Sequence, residues 1–116
     1  MRTIKRTYLQ DPGHGWVVVP FEDLAYLGIA DKITSYSYKN YTLRKNCEVH
    51  NAVYLEEDCD LPTYLHALSE KGIKVEFNVK HTNKSSRVRS YESYTCPIDW
   101  YAYIDRNSYQ IKRGAF

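Results

Sequence analysis

Four carboxylates follow one apolar run, and they are the densest group of side chains in the sequence that could do chemistry. The run 52–55, Ala-Val-Tyr-Leu, predicts a short buried strand. The acidic residues directly behind it are Glu56, Glu57, Asp58 and Asp60. We expect Asp60 to cap a helix with its carboxylate, and Pro62 to occupy the first turn of that helix.

The acidic run is open to three interpretations. Its carboxylates could be solvated groups that assist the helix dipole. They could bind a hard cation, which prefers clustered oxygen ligands, or present an acidic face to a basic partner or to the protein's own arginines. The spacing lacks the glycine and the distal glutamate of a calcium-binding hand, and we therefore expect no metal.

The turn 11–15, Asp-Pro-Gly-His-Gly, carries a second set of candidate residues. Its proline and glycines predict a tight hairpin loop, because they supply backbone angles that other residues avoid. Outward backbone N–H groups there could receive an anion, with His14 as acid, base or donor. Alternatively, the glycines serve only the hairpin and His14 is incidental. Trp16 follows the loop and is a further candidate binding residue.

Two arginines form a third candidate site. Arg87 and Arg89 are two residues apart, so a strand would place both on one face as a fork for phosphate or carboxylate. Residues 46–70 contain six acids and no lysine or arginine, whereas residues 71–96 contain six basic side chains against two acidic ones. In the opposing interpretation these two segments lie side by side, and an arginine pairs with a glutamate of the acidic run.

Composition limits the class of protein. A hydrophobic fraction of 43% in 116 residues suits one folded domain, and a net charge of +2 is too small to imply a polyanionic partner. No apolar run reaches the ~20 residues of a membrane helix, and the first residues do not resemble a secretory signal, so we expect no membrane partner and a cytosolic location. Three cysteines without close spacing predict neither disulfides nor zinc.

Tyrosine is unusually frequent, with 12 in 116 residues. It favours strands and interfaces, and Tyr36 and Tyr38 are therefore candidate recognition residues. Tyrosines interleaved with basic residues beyond position 86 would also suit single-stranded nucleic acid, although the signature of an RNA-recognition module is absent. Catalytic motifs such as GxSxG or HExxH are absent as well, which disfavours an enzyme.

The order of predicted elements indicates an α+β fold, with a mainly antiparallel sheet and two packed helices. We expect a core domain over residues 1–96 and a C-terminal hairpin extension of the same domain over 97–116. The predicted helices cover 21–27 and 61–71. The predicted strands cover 3–9, 16–19, 41–43, 49–55, 73–80 and, at an edge, 87–91.

Five spaced motifs resemble a family of small bacteriophage and prophage proteins of unknown function. They are DPGHGW (11–16), LGIADKI (27–33), YSY (36–38), YLEEDCD (54–60) and SSRVRSY (85–91). The family has no known activity to carry over, and this chain differs from it in a longer 39–52 connection and in its tail after Cys96. The resemblance implies a phage-encoded accessory protein made in the host bacterial cytoplasm, of the host-takeover or anti-defence type.

These observations favour a protein that acts by binding a host or phage macromolecule, without a cofactor. The alternative is a small protein that binds a nucleotide or nucleic acid. In this alternative the protein could also be an enzyme that acts on a phosphate-containing substrate. The candidate binding residues are His14, Trp16, Tyr36, Tyr38, Glu56, Glu57, Asp58, Arg87 and Arg89.

Overall fold

Six strands and two α-helices make up the part of the chain that the computed structural model describes, residues 2–43 and 49–96. The strands are β1 (Arg2–Gln10), β2 (Gly15–Pro20), β3 (Tyr38–Leu43), β4 (Val49–Glu56), β5 (Ile73–His81) and β6 (Glu92–Ser93). The helices are α1 (Phe21–Tyr26) and α2 (Leu61–Glu70), and short 3₁₀ turns cover Ala30–Lys32 and Arg87–Ser90. Among these residues no helix is both long and apolar enough to cross a membrane.

The strands form one sheet in the order β5-β1-β2-β4-β3-β6. All neighbours are antiparallel except β1 and β5, which run parallel because α2 connects β4 to the far edge of the sheet. The α+β prediction with a mainly antiparallel sheet is thus confirmed. The predicted hairpin over 97–116 lies outside the described residues.

The core lies between one face of the sheet and the two helices. Strand register aligns Val17 with Leu55 and Val19 with Val53, so these buried side chains share that face. The helices contribute buried apolar side chains to the same cluster: Phe21, Leu24, Leu61, Tyr64 and Leu68. Residues that alternate with the core positions point to the other face of the sheet.

A buried polar network joins the sheet to both helices. Asp23 of α1 is fully buried, and its Oδ2 accepts hydrogen bonds from Arg6 Nε at 2.9 Å and from Arg6 Nη2 at 2.7 Å. The Tyr64 hydroxyl of α2 donates to the same oxygen at 2.6 Å. Burial and the neighbouring Asp23 charge raise the pKa of Tyr64, which therefore remains a hydrogen-bond donor.

Three local expectations were wrong. Asp60 occupies the N-cap position of α2, but its carboxylate makes no capping bond because it accepts hydrogen bonds from another segment. Apolar residues recur at spacings of three and four along α2 and predict one buried stripe, but Leu65 on that stripe is 36% exposed. The alternation of residues 73–80 predicts a strand with one buried face, but β5 is half-buried only at its start and Val79 near its end is 55% exposed.

Removing Arg6 should destabilise the fold strongly, because it would leave the Asp23 carboxylate buried without its cation. We expect Arg6→Met to lower the free energy of unfolding by about 3 kcal/mol. The matched variant Lys5→Met changes an exposed neighbour and should stay within about 0.5 kcal/mol of the wild type. Urea denaturation of the three proteins measures both values, and equal losses in the two variants would contradict the network's role.

Candidate binding cleft

A cavity of about 290 Å³ opens on the sheet face opposite the helices. It is lined by His14, Trp16, Tyr36, Tyr38, Glu56, Asp58, Cys59 and Arg89, and we call it the aromatic–acidic cleft. Seven of the nine candidate binding residues line it. Of the other two, Glu57 lies in the adjoining groove beside the 11–14 loop, and Arg87 is exposed outside the cleft.

The sheet places the aromatic wall. Trp16 on β2 lies opposite Glu56 on β4, so both side chains project from the same face. The ring centroids of Trp16 and Tyr38 are 6.3 Å apart in an edge-on arrangement, and those of His14 and Trp16 are 6.1 Å apart. The indole Nε1 of Trp16 is buried and has no hydrogen-bond partner among the described residues.

Ser37 points inward between the two candidate tyrosines and fixes their position. Its hydroxyl donates a hydrogen bond to Asp60 and accepts one from the Glu56 backbone N–H at 2.9 Å. Asp60 also accepts bonds from the backbone N–H of Thr34 at 3.0 Å and from its hydroxyl at 2.8 Å. The carboxylate expected to cap α2 therefore ties residues 34–38 to the start of that helix.

Asp11 organises the other side of the cleft. Its side chain is 0% exposed, and Oδ1 accepts the backbone N–H groups of Gly13 at 3.0 Å and His14 at 2.9 Å. Oδ2 accepts the Ser86 N–H at 3.0 Å. Arg89 completes the arrangement, with Nε 2.6 Å from Oδ2 and Nη2 2.9 Å from Oδ1. These donors, Arg89 above all, hold the pKa of the Asp11 carboxyl well below its usual range.

The Asp11 carboxylate argues against the first of the two interpretations of the hairpin loop, an anion site. The backbone N–H groups of Gly13 and His14 already donate to it, so they are not available to an external anion. The loop glycines were expected to supply unusual backbone angles, but neither Gly13 nor Gly15 has a positive φ. Space for neighbouring side chains requires them instead. A Cβ at Gly13 would lie 2.8 Å from Arg89 Nη2, and one at Gly15 would lie 2.6 Å from the Tyr8 ring.

The predicted pair of arginines on one strand face is wrong. Residues Arg87–Ser90 form a 3₁₀ turn in which Val88 is buried, and the two arginines do not form a fork. Arg89 lies over the Trp16 ring, with its guanidinium carbon 5.4 Å from the ring centroid. Its ionic partner is Asp11, so the expected pairing of an arginine with a glutamate of the acidic run is also wrong for this residue.

The acidic run is folded around the Glu56 carboxylate. Glu56 Oε2 accepts the backbone N–H groups of Asp58 at 2.9 Å and Cys59 at 2.8 Å, which leaves Oε1 at 3.7 Å from His14 Nδ1. Glu57 accepts a 2.6 Å hydrogen bond from the Tyr8 hydroxyl. Burial and this bond raise the pKa of Tyr8 to about 12. Within the described residues, the exposed Asp58 carboxylate has no hydrogen-bond or ion-pair partner.

Cys59 lines the cleft but is not among the candidate binding residues from the sequence. A hydrogen bond with Glu56 and the surrounding carboxylates raise the pKa of its thiol. The thiolate is the nucleophilic form, so this environment opposes covalent chemistry at Cys59. The same negative surroundings favour a bound cation.

Two lining residues of the cleft and one residue beside it have the types and separation that a metal ion requires. One ligand atom each from His14, Glu56 and Glu57 lies within 4.8 Å of the others. Exposed acidic groups commonly reach such distances without an ion. The arrangement defines the residues to test for a metal, and the sequence-based expectation of none stays a prediction.

Together, the fold and the cleft define a small α+β domain with a preformed, aromatic and negatively charged recess. No family model matches the sequence, and comparison with curated proteins and with solved structures yields no significant match.

Asp11→Asn should reveal how far the cleft depends on the buried carboxylate. The wild type gains stability from ionised Asp11 above about pH 4, the ordinary range of an aspartate, and loses it as the pH falls towards the depressed pKa of the folded state. We therefore expect Asp11→Asn to melt at a lower temperature at pH 7, with the difference narrowing between pH 4 and pH 2.

Thermal denaturation at a series of pH values measures that difference. The control is Asp31→Asn, which changes an exposed aspartate in the Ala30–Lys32 turn and should melt close to the wild type throughout. A difference between Asp11→Asn and the wild type that is constant from pH 7 to pH 2 would contradict the assigned role of the ionised carboxylate.

Proposed function

We propose that this chain is a phage-encoded accessory protein that acts by binding a protein of the host or the phage, and that the aromatic–acidic cleft is its contact surface. The observation that carries the proposal is Tyr36, which lies at the cleft and is 69% exposed. Tyrosines are enriched at protein interfaces, where they bury a large area at low entropic cost. The phage origin rests on the motif resemblance.

The rigidity of the cleft supports a binding role. Tyr36 and Tyr38 flank Ser37, which is held by Asp60, and the opposite wall is held by the Asp11–Arg89 ion pair. A surface whose supporting segments are already held in place loses less conformational entropy on association. The described part of the cleft also offers no activated nucleophile, since the Cys59 thiol has a raised pKa.

The charge of the cleft disfavours the nucleotide alternative. Phosphate binding would draw on the loop amides and on Arg89, but Asp11 already occupies both. Glu56 and Asp58 would repel a phosphate at close range. A protein partner that presents basic side chains matches this surface better, because complementary charge speeds encounter and excludes wrong partners.

The test is capture of a partner from host lysate, before and after phage infection, with the tagged full chain as bait. We expect one protein to be retained in stoichiometric amount by the wild type and lost with Tyr36→Ala and with Asp58→Asn. Both positions are exposed, so neither change should unfold the domain.

The control bait carries Glu76→Gln, an exposed charge change on β5 away from the cleft, and should retain the partner. Capture that is unaffected by Tyr36→Ala and Asp58→Asn would move the contact surface elsewhere. Nucleotide or nucleic acid on the bait, with no protein, would replace this proposal by the nucleotide-binding alternative.

A further inference from the structure

We propose that the aromatic–acidic cleft binds a guanidinium group, supplied by an arginine side chain of the partner, between Tyr36 and the carboxylates of Asp58 and Glu56. This inference rests on the proposed function, because it names the chemical group that the binding surface recognises. It concerns a site with aromatic walls and unneutralised negative charge, which are the two features that select a weakly hydrated organic cation.

The cleft already contains one guanidinium held in this way. Arg89 lies 5.4 Å from the Trp16 ring centroid, and its fork is bound by the Asp11 carboxylate at 2.6 and 2.9 Å. An aromatic face and a carboxylate therefore suffice to hold a guanidinium on this surface. The neighbouring residues Tyr36 and Asp58 repeat both chemical features, and neither has a cationic partner among the described residues.

The charge of the cleft favours a positive ligand. Arg89 is neutralised by Asp11, which leaves Glu56 and Asp58 as the lining carboxylates without a lysine or arginine partner in the described structure. Glu57 adds negative charge just outside the cleft. Half of the Glu56 carboxylate, Oε2, is committed to two backbone N–H groups, whereas Oε1 is directed to His14 at 3.7 Å. One carboxylate oxygen of Glu56 and the whole of Asp58 can thus accept donors.

The size of the cleft favours a single side chain. Its volume of about 290 Å³ lies just below the range for small-molecule sites, which begins near ~300 Å³. A guanidinium with part of its alkyl stem fits such a space, and its planar face can stack on Tyr36 while its N–H groups reach a carboxylate. A lysine ammonium shares the charge but has no planar face or fork.

The experiment titrates the ¹⁵N-labelled full chain with N-acetyl-arginine amide at constant ionic strength and follows backbone and indole N–H signals. The matched neutral probe is N-acetyl-citrulline amide, which has nearly the same shape without the charge, and N-acetyl-lysine amide tests the ammonium. We expect saturable shifts at Trp16, residues 36–38 and residues 56–59 with the arginine probe, weaker binding of the lysine probe and none of the citrulline probe.

Variants then assign the binding to the proposed groups. We expect Asp58→Asn to weaken binding of the arginine probe about fivefold, as for an exposed charge pair, and Tyr36→Ala to weaken it about threefold. Glu76→Gln should leave the affinity unchanged. Dispersed spectra of the free variants verify that each domain is folded.

Three results would overturn the guanidinium assignment: no saturable shift, equal binding of the citrulline probe, or unchanged affinity in Asp58→Asn and Tyr36→Ala. A titration with Zn²⁺ or Mn²⁺ alone could give a fourth result that overturns the assignment. Metal binding that displaces the arginine probe and is lost in His14→Ala and Glu57→Gln, but kept in Asp58→Asn, would assign the carboxylates to a metal ion instead.

Failure of this inference and failure of the proposed function are distinguishable. A captured protein that depends on Tyr36 and Asp58, together with silent probe titrations, would keep the protein-binding function and remove the guanidinium assignment. Binding of the arginine probe without any captured protein would keep the cleft chemistry and remove the proposed role in protein binding.

Discussion

The cleft depends most on one buried carboxylate. Asp11 accepts hydrogen bonds from the hairpin loop, from the Ser86 backbone and from the Arg89 guanidinium, and so joins segments that are 75 and 78 residues apart in sequence. A buried carboxylate requires such complete pairing, because an unpaired charge in this position would be strongly unfavourable. The pairing holds Arg89 over Trp16 and brings the 86–91 segment onto the sheet face opposite the helices.

The same carboxylate determines what the cleft can bind. Because Asp11 takes up the loop amides and the Arg89 charge, the donors that would suit a phosphate are already used within the molecule. The acceptors remain, at Glu56 and Asp58, beside exposed aromatic surface at Tyr36. Of the two arginines that look basic in the sequence, Arg89 thus becomes part of an acidic recess in the folded protein, whereas Arg87 lies outside it.

Local signals in the sequence predicted much of the fold. The turn after Asp11 led correctly to the β1–β2 hairpin, and glycines at 28 and 72, residues typical of helix ends, follow the two helices with positive φ. The frequency of tyrosine marked Tyr36 and Tyr38 as candidate recognition residues, and the structure shows both lining the cleft.

Pairings between distant residues could not be predicted. No local pattern links Asp11 to Arg89, and Asp60 was read as a helix cap because its true partners, Thr34 and Ser37, are more than 20 residues away. The alternation in 87–91 resembled a strand, but the Ser86 side chain accepts the Val88 N–H and starts a 3₁₀ turn instead. Tyr8 contacts the acidic run through such a distant pairing, its hydroxyl donating to Glu57, and no sequence motif marked it.

The most direct test of a binding cleft is hydrogen exchange of the full chain, alone and saturated with its captured partner. The account predicts that added protection concentrates in residues 34–38 and 56–59, which line or adjoin the cleft, and leaves the β5 edge strand unchanged. Protection confined to β5, with unchanged exchange around Tyr36 and Asp58, would contradict the assignment of the aromatic–acidic cleft as the contact surface.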